Sequence, residues 1–343
     1  MTVGVRRIAL RHYRQQQRIT RLTANQVQEL WRLIDIGDLT GSWNAGIGRR
    51  VVQTVTAGQL ASARLADDYV DEVVAAEGAD PERLGAVRPS AFAGVAADGR
   101  TLDSLMYLPV ITTKQGIGAG LAAQDALMRG LRQALALSGS EVAQAGRSAV
   151  GASMAGKRTI QGYVRVVQPP ACARCIVLAG KEFGWNKGFQ RHPRCDCIHL
   201  PTTLIARNQH RGQGADDTGG RGFMDPRGYF DSLSRAEQER TFGEAGARAI
   251  REGADMAQVV NARRGMYTTT AYGRVLSATR EGATRRGHFY RLERRRAVDR
   301  GLVPPSGRGF HLRTPRLMPE QIFELAESRD EAIAMLRRFG YLS

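Results

Sequence analysis

The chain has 343 residues, 42% of them hydrophobic, so it is long enough to bury a sizeable core and to form more than one domain. Fifty lysines and arginines against 33 acidic residues leave a net charge of +17, which favours contact with a polyanion such as nucleic acid, or with an acidic partner protein. No uncharged apolar run approaches the ~18 residues of a membrane span, and Met1–Arg7 do not begin a signal sequence. We therefore expect no membrane association, and we expect the protein to be made and used in the cytoplasm or in an assembled particle.

Residues 1–100 are predicted to form an N-terminal helical region. Apolar side chains recur at helical spacing over residues 1–35, where we expect Thr23–Asn25 to cap a second helical segment. An alanine-rich helix is predicted over residues 43–76. The glycines and prolines of residues 77–100 predict a loop that ends this region.

Residues 101–158 are predicted to form an alanine-rich helical region, with breaks near Pro109 and near Ser138–Ser140. Alanine and glycine on the helix faces would let these helices pack closely. The region holds no cluster of candidate catalytic groups. It therefore suits a docking surface or a scaffold.

Residues Gly151–Thr159 nearly match the phosphate-binding loop G-x-x-x-x-G-K-[ST]. That loop needs a strand before it, a helix after it and a hydroxyl directly after the lysine. Here a helical pattern precedes the motif, Arg158 takes the place of the hydroxyl and a strand-like run follows. We therefore reject a nucleotide site at this position.

All four cysteines of the chain lie between residues 172 and 199, in a region of residues 159–262 that we predict to be a small module with strands. Thr159–Pro169 reads as one strand, and residues 195–200 as a second extended piece. The sequence between them is Cys172-Ala-Arg-Cys175, sixteen further residues, and His192-Pro-Arg-Cys195-Asp-Cys197-Ile-His199. Val177, Leu178, Phe183, Trp185 and Phe189 would have to form the core of the module.

Thiolates and imidazoles at this spacing can wrap one tetrahedral ion, and such ligands favour zinc. Cys172 and Cys175 form a chelating turn, and His192 is the third expected ligand. Either Cys195 or Cys197 would be the fourth, and His199 is the weakest candidate. Four such ligands leave no open position for water, so a structural site is expected. Disulfides, or a buried cluster without metal, are the alternatives.

The cysteine region resembles the MuF-like head morphogenesis and minor capsid proteins of tailed bacteriophages, in their actinobacteriophage branch. The elements that carry the resemblance are the paired cysteines, Leu178-Ala-Gly180-Lys-Glu-Phe183, His192-Pro-Arg-Cys195-Asp-Cys197, and the later strings Phe230–Gln238 and Val259–Gly265. The resemblance covers about residues 160–265. It implies a virion protein, present in few copies inside the head near the portal. Some of these phage proteins are labelled capsid maturation proteases.

Residues 232–251 and 255–262 are predicted to be helical, the first with a capping box formed by Ser234 and Glu237. Residues 263–316 are rich in arginine with interleaved aromatic side chains, and predict an extended basic arm. Two short helices would follow near 318–327 and 329–338, ending at Gly340. The arginines expected to contact nucleic acid are Arg285, Arg286, Arg291, Arg294, Arg295 and Arg296. An arm lying on an acidic partner protein is the alternative.

Together these features predict a mainly α protein with a small zinc-stapled α+β module and an extended basic C-terminal arm. The predicted regions are residues 1–100, 101–158, 159–262 and 263–343. We expect a minor head protein that acts in head morphogenesis and in DNA packaging or ejection. Its expected partners are the portal protein, the major capsid or scaffold protein and packaged double-stranded DNA. It would be made in the host cytoplasm and end inside the virion head.

A capsid maturation protease and a zinc-ribbon nucleic-acid-binding protein are the alternative functions. A serine protease needs a nucleophile with a positioned histidine base. No G-x-S-x-G or similar frame marks such a serine, and no catalytic residue is assigned.

Overall fold

The structure is a computed structural model that describes residues 3–82, 84–185, 197–203, 225–271, 273–306 and 309–342. This part of the chain is mainly helical with small antiparallel sheets, which confirms the mainly α class. Its contacts form two compact units. The N-terminal unit comprises Met1–Gln168 and Ala179–Asp225, and the C-terminal unit comprises Pro169–Leu178 and Pro226–Ser343. Within the described residues, no helix has both the length and the apolar character needed to cross a membrane.

Six α-helices build most of the N-terminal unit in the described residues. They are α1 (Val3–Trp31), α2 (Leu39–Ser42), α3 (Gly48–Ala63), α4 (Ala66–Ala76), α5 (Leu102–Gly118) and α6 (Ala123–Ala155). A π-helical turn at Trp43–Ile47 joins α2 to α3, and a 3-10 turn lies at Pro89–Phe92. The remainder of residues 77–100 is irregular, as its glycines and prolines predicted.

Helix α1 is continuous, so the predicted cap at Thr23–Asn25 is wrong. Thr23 is buried, and its hydroxyl would touch a methyl group placed on Gly58 of α3. The side chain therefore faces a neighbouring helix and does not start a new one. Tertiary packing has overridden the local preference of threonine for a cap.

The predicted breaks near Pro109 and Ser138 are also wrong, because both residues lie inside helices. The Thr113 hydroxyl donates to the Pro109 carbonyl at 3.0 Å, and the Ser138 hydroxyl donates to the Leu135 carbonyl at 3.2 Å. The chain instead turns between α5 and α6, where Gly120 has a φ of +84°. That left-handed conformation suits glycine, which has no Cβ to clash.

Helix α6 packs against α1, α3, α4 and α5. A methyl group on Gly130 would lie 2.7 Å from Trp31 Cζ2 and 2.8 Å from the Pro109 carbonyl oxygen. A methyl group on Gly146 would lie 2.6 Å from Gln16 Nε2. Glycine therefore allows the neighbouring helices to approach the α6 backbone, which confirms the predicted close packing.

The first sheet has strand order β2-β1-β3 and is antiparallel, with β1 at Ile160–Val166, β2 at Glu182–Gly184 and β3 at Ile198–Thr203. Strand β1 confirms the strand predicted before the cysteines. Its Ile160 and Tyr163 share one core with Val70 and Val73 of α4. The strands therefore bury their apolar side chains against helices of the N-terminal unit.

The small core predicted for residues 159–262 differs from this arrangement. Trp185 is 49% exposed, Val177 and Leu178 are half-buried, and Phe189 lies outside the described residues. Phe183 is half-buried and packs against the helical core. The predicted core is therefore wrong for Trp185, because the apolar surface of α4 and α6 already covers the sheet.

The C-terminal unit combines short helices with a second antiparallel sheet of order β4-β5-β6. Its helices are α7 (Ala173–Ile176), α8 (Pro226–Ser232), α9 (Arg235–Phe242), α10 (Glu244–Arg251), α11 (Met256–Ala262), α12 (His288–Asp299), α13 (Pro319–Leu325) and α14 (Arg329–Arg338). Its strands are β4 (Met266–Ala271), β5 (Arg274–Thr279) and β6 (Arg316–Leu317). The Ser234–Glu237 capping box of α9 is present, as predicted.

The predicted extended arm is wrong, because its residues form the β4–β5 hairpin, helix α12 and strand β6. Arg316 explains why this arginine-rich segment folds. Its side chain is 1% exposed and donates to the carbonyls of Phe339 and Glu281, each at 2.9 Å, and to Gln258 Oε1 at 3.1 Å. The guanidinium also lies 4.3 Å from the centre of the Tyr341 ring. A buried cation with this many partners joins the strand, the C-terminal residues and α11.

We expect Gly130→Ala to lower the free energy of unfolding by about 1–3 kcal/mol, because the added methyl group overpacks the contact between α5 and α6. Gly151→Ala is the matched control in the same helix, since a methyl group there meets no atom within 4 Å. That control should stabilise the protein by up to about 1 kcal/mol through helix propensity. Urea denaturation measures both. Equal effects of the two substitutions would contradict the close-packing role of Gly130.

Candidate functional site

Of the two cysteines of the predicted chelating turn, Cys172 directly precedes helix α7 and Cys175 lies in its single turn. The backbone N–H of Cys175 donates to the Cys172 carbonyl oxygen at 2.9 Å. Cys172 is exposed, whereas Cys175 is 3% exposed. The Ala171 N–H donates to the Tyr229 hydroxyl at 3.0 Å, which anchors the chain just before the turn. A turn of this kind is how a C-x2-C pair presents two sulfurs to one metal ion.

Cys197 and His199 lie in the N-terminal unit, at the beginning of strand β3. Arg165 of β1 pairs with His199 across the sheet, and its Nη2 donates to Cys197 Sγ at 3.0 Å. Arg165 is 2% exposed and Cys197 is 4% exposed. A buried guanidinium is costly without acceptors, so this contact helps to keep Arg165 in the sheet. No sequence pattern marks this pair, because the two residues are far apart along the chain.

His199 lies among aromatic side chains. Its ring centre is 4.3 Å from that of Tyr163, and its carbonyl oxygen accepts a hydrogen bond from the Tyr69 hydroxyl at 2.8 Å. Burial raises the pKa of Tyr69, and the nearby Glu77 carboxylate raises it further. Tyr69 therefore stays a neutral donor that ties β3 to α4.

The predicted metal ligands are divided between the two compact units. Cys172 and Cys175 belong to the C-terminal unit, Cys197 belongs to the N-terminal unit, and His192 and Cys195 lie outside the described residues. The described part of the chain contains no group of three or more histidine, cysteine, aspartate or glutamate side chains that could hold a metal ion. The zinc site therefore stays a prediction.

A small cavity lies in the N-terminal unit next to β3. Its volume is about 50 Å³, enough for ordered water, and its lining includes His12, Gln16, Tyr69, Arg147, Cys197 and His199. The His12 ring stacks on Tyr69 with centres 3.9 Å apart. Among the described residues, His12 Nδ1 has no hydrogen-bond partner. No local sequence pattern marks this group, because α1, α4 and β3 bring it together only in the folded unit.

Burial sets the protonation state of His12. The side chain is 7% exposed, and its burial lowers the pKa to about 4. The imidazole is therefore neutral at pH 7 and can act as a hydrogen-bond donor or acceptor in the cavity.

Lys157 of the rejected phosphate-binding motif has a structural role. Its side chain is 1% exposed, forms an ion pair with Asp71 and donates to the Pro81 carbonyl at 3.4 Å. Gly151 lies inside α6, and Gly156 follows the end of that helix. The lysine is therefore enclosed within the protein, where it could not reach a nucleotide phosphate.

The six arginines predicted to contact nucleic acid lie on or just before helix α12. Arg285, Arg286, Arg291 and Arg295 are exposed. The remaining two make contacts within the unit: Arg294 Nη2 donates to the Pro305 carbonyl at 2.5 Å, and Arg296 Nη1 lies 2.6 Å from Glu293 Oε1. The structure thus leaves four of the six guanidiniums accessible to a ligand.

Comparison with known proteins gives one family match. The family model described as "VG15 protein" matches residues 5–217, which include helices α1 to α6 and the first sheet. No curated protein matches the chain, and no solved structure matches it.

We expect the protein to lose stability as the pH falls through His12 titration. The pKa of His12 is about 4 in the folded state and 6.5 in the reference state, so the unfolded chain binds the proton first. His12 therefore costs almost no stability above about pH 6.5. At about pH 5 it lowers the free energy of unfolding by about 2 kcal/mol. Denaturation midpoints at about pH 7 and about pH 5 measure it.

His12→Gln should flatten this pH dependence, because glutamine does not titrate. His311→Gln is the control, since it removes one exposed histidine elsewhere in the chain. If both variants lose stability between the two pH values as the wild type does, His12 is not the group responsible.

Proposed function

The chain belongs to the VG15 protein family, a family of bacteriophage proteins, and on that premise we propose that it is a minor head protein of a tailed phage. The observation that carries this proposal is the family match over residues 5–217, which indicates a phage structural or virion-related protein. The cysteine motifs add the finer likeness to MuF-like proteins. Head morphogenesis and DNA packaging or ejection are the proposed roles.

The closely packed helices of the N-terminal unit support a docking role. In this proposal they contact the portal protein and the major capsid or scaffold protein. The chain reaches these partners in the host cytoplasm during assembly and remains inside the head. Long helices that pack along one another provide a rigid surface of this kind.

The charge of the chain supports contact with packaged double-stranded DNA. The net charge is +17, and exposed arginines line helix α12 and the residues before it. Each guanidinium that replaces a counterion at a phosphate adds sequence-independent affinity. A head protein has to accommodate all of the packaged sequence, so this mode of contact suits the role.

A structural zinc ion is part of the proposal. The Cys172–Cys175 turn supports it, and the further ligands would come from His192, Cys195 and Cys197. A bound zinc ion supplies folding energy, since its ligands are not assembled in an unfolded chain. These residues would hold the ion and perform no reaction.

Particles assembled with and without this chain test the function. We expect the chain to be retained in low copy and the mass of the major capsid protein to be unchanged, as intact-mass spectrometry and quantitative electrophoresis would measure. Loss of the chain should leave heads that are misassembled or poorly filled with DNA. A capsid protein that is shortened only when this chain is present would show a maturation protease and contradict the structural role.

Metal analysis of the purified full chain tests the zinc site. We expect about one zinc ion per chain, and we expect Cys172→Ser to lose the ion and lower the unfolding midpoint. Arg174→Ser is the matched control, because Arg174 is exposed and lies between the two cysteines. A metal-free wild-type chain, or a Cys172→Ser variant with full zinc content and stability, would overturn the proposal.

A further inference from the structure

A broad groove lies on the C-terminal unit, beside the end of helix α12. Its cavity volume is about 950 Å³. The side chains that define it are Arg296, Arg300, Phe310, His311, Arg313 and Arg338, and we call it the arginine groove. Its residues come from α12, from the coil after it and from the end of α14, so only folding brings them together.

Positive charge dominates the arginine groove. Four arginines and one histidine line it, and its lining includes a single carboxylate, Glu293. That carboxylate is already paired with Arg296 at 2.6 Å. Arg300, Arg313 and Arg338 are exposed and form no ion pair within the described residues. Their charges are therefore available to an anion from outside.

Internal contacts fix the walls of the groove. Arg296 Nη1 donates to the Arg338 carbonyl oxygen at 2.9 Å, which ties α12 to the end of α14. The Tyr290 hydroxyl donates to the Phe310 carbonyl at 2.8 Å, and the two rings meet edge to face at 5.1 Å. The backbone that carries the cations is thus held in place before any ligand binds, which reduces the cost of ordering it on binding.

The size and lining of the groove indicate the class of ligand. Pockets for small molecules have volumes of about 300–1,000 Å³ but are lined mainly by apolar and aromatic groups. This groove is equally large, and four arginines stand among apolar residues such as Leu302 and Leu312 in its lining, so a ligand with several negative charges fits it better. Each guanidinium matches the oxygens of a phosphate with two parallel hydrogen bonds. Several arginines in one groove therefore suit the consecutive phosphates of a nucleic-acid strand.

We infer that the arginine groove binds the phosphate backbone of double-stranded DNA. Arg300, Arg313 and Arg338 make the contacts, and Arg296 shapes the site while remaining paired with Glu293. The exposed arginines before and on α12 would be a second, separate surface. The inference rests on the DNA contact in the proposed function and adds a defined site to it.

Fluorescence anisotropy with a short mixed-sequence duplex, over a series of salt concentrations, tests the inference on the purified full chain. The groove variant is Arg300→Gln, Arg313→Gln and Arg338→Gln combined. The plot of log affinity against log salt has a negative slope. We expect the groove variant to make this slope less steep by about 2–3, because about one counterion is released per phosphate contact. Affinity at low salt should fall by about tenfold or more.

Two matched variants control for charge and for folding. Arg18→Gln, Arg49→Gln and Arg50→Gln combined remove the same charge from exposed positions of the N-terminal unit, and should leave the slope within about one unit of the wild type. Lysine at the three groove positions keeps the charge but loses the paired hydrogen bonds of guanidinium, so it should keep the wild-type salt slope while affinity falls less than in the glutamine variant. Thermal melting followed by circular dichroism checks that each variant is folded.

The outcomes separate this inference from the proposed function. If the wild-type chain binds no duplex, both the proposed DNA contact and the groove fail. If the wild type binds and the folded groove variant binds equally well, the groove inference fails and the DNA contact stands. A groove variant that binds duplex normally but is lost from particles would identify an acidic protein as the occupant, and would also overturn the inference.

Discussion

Close approach of the neighbouring helices to the backbone of helix α6 is the constraint on which the N-terminal unit depends. At Gly130, the side chain of Trp31 and the carbonyl oxygen of Pro109 occupy space that any larger residue would need. Gly146 meets Gln16 in the same way. The helices that surround α6 can therefore share cores that extend to strands β1 and β3. The apolar groups on these helices cover the sheet, so the sheet needs no core of its own.

Buried cations have a comparable role, because each one requires acceptors from several elements. Arg316 donates to three carbonyl oxygens and a glutamine side chain in the C-terminal unit, and these bonds hold an arginine-rich segment in a folded arrangement. In the N-terminal unit, Arg165 donates to Cys197 and Lys157 pairs with Asp71. Removing a partner from such a group leaves a buried charge without compensation, which is more costly than losing an exposed ion pair.

Other arginines are exposed, and their surface suits the proposed role. Arginines with carboxylate or carbonyl partners stabilise the fold, as Arg294 and Arg296 do. Arginines at the surface, among them Arg300 and Arg313, leave their guanidiniums available to phosphate. The family match shows a phage protein, and the accessible charge supports the proposed contact with DNA. The cysteine region would add a metal staple to this scaffold.

The sequence by itself determined element type wherever a local pattern has only one good solution. Examples are the capping box of Ser234, the β-branched strand before the cysteines and the mainly α content. The sequence also determined the basic character of the chain and, through the lack of a hydroxyl after Lys157, the absence of a phosphate-binding loop at that position. Part of the candidate site could also be found locally, since the C-x2-C turn is formed by neighbouring residues. Tertiary structure decided the rest. It kept Thr23 and Pro109 inside helices, buried Arg316, paired Arg165 with Cys197, and brought His12 to Tyr69 and the groove arginines to one another. These outcomes depend on which distant side chain fills a space or accepts a hydrogen bond, and no local pattern specifies that partner.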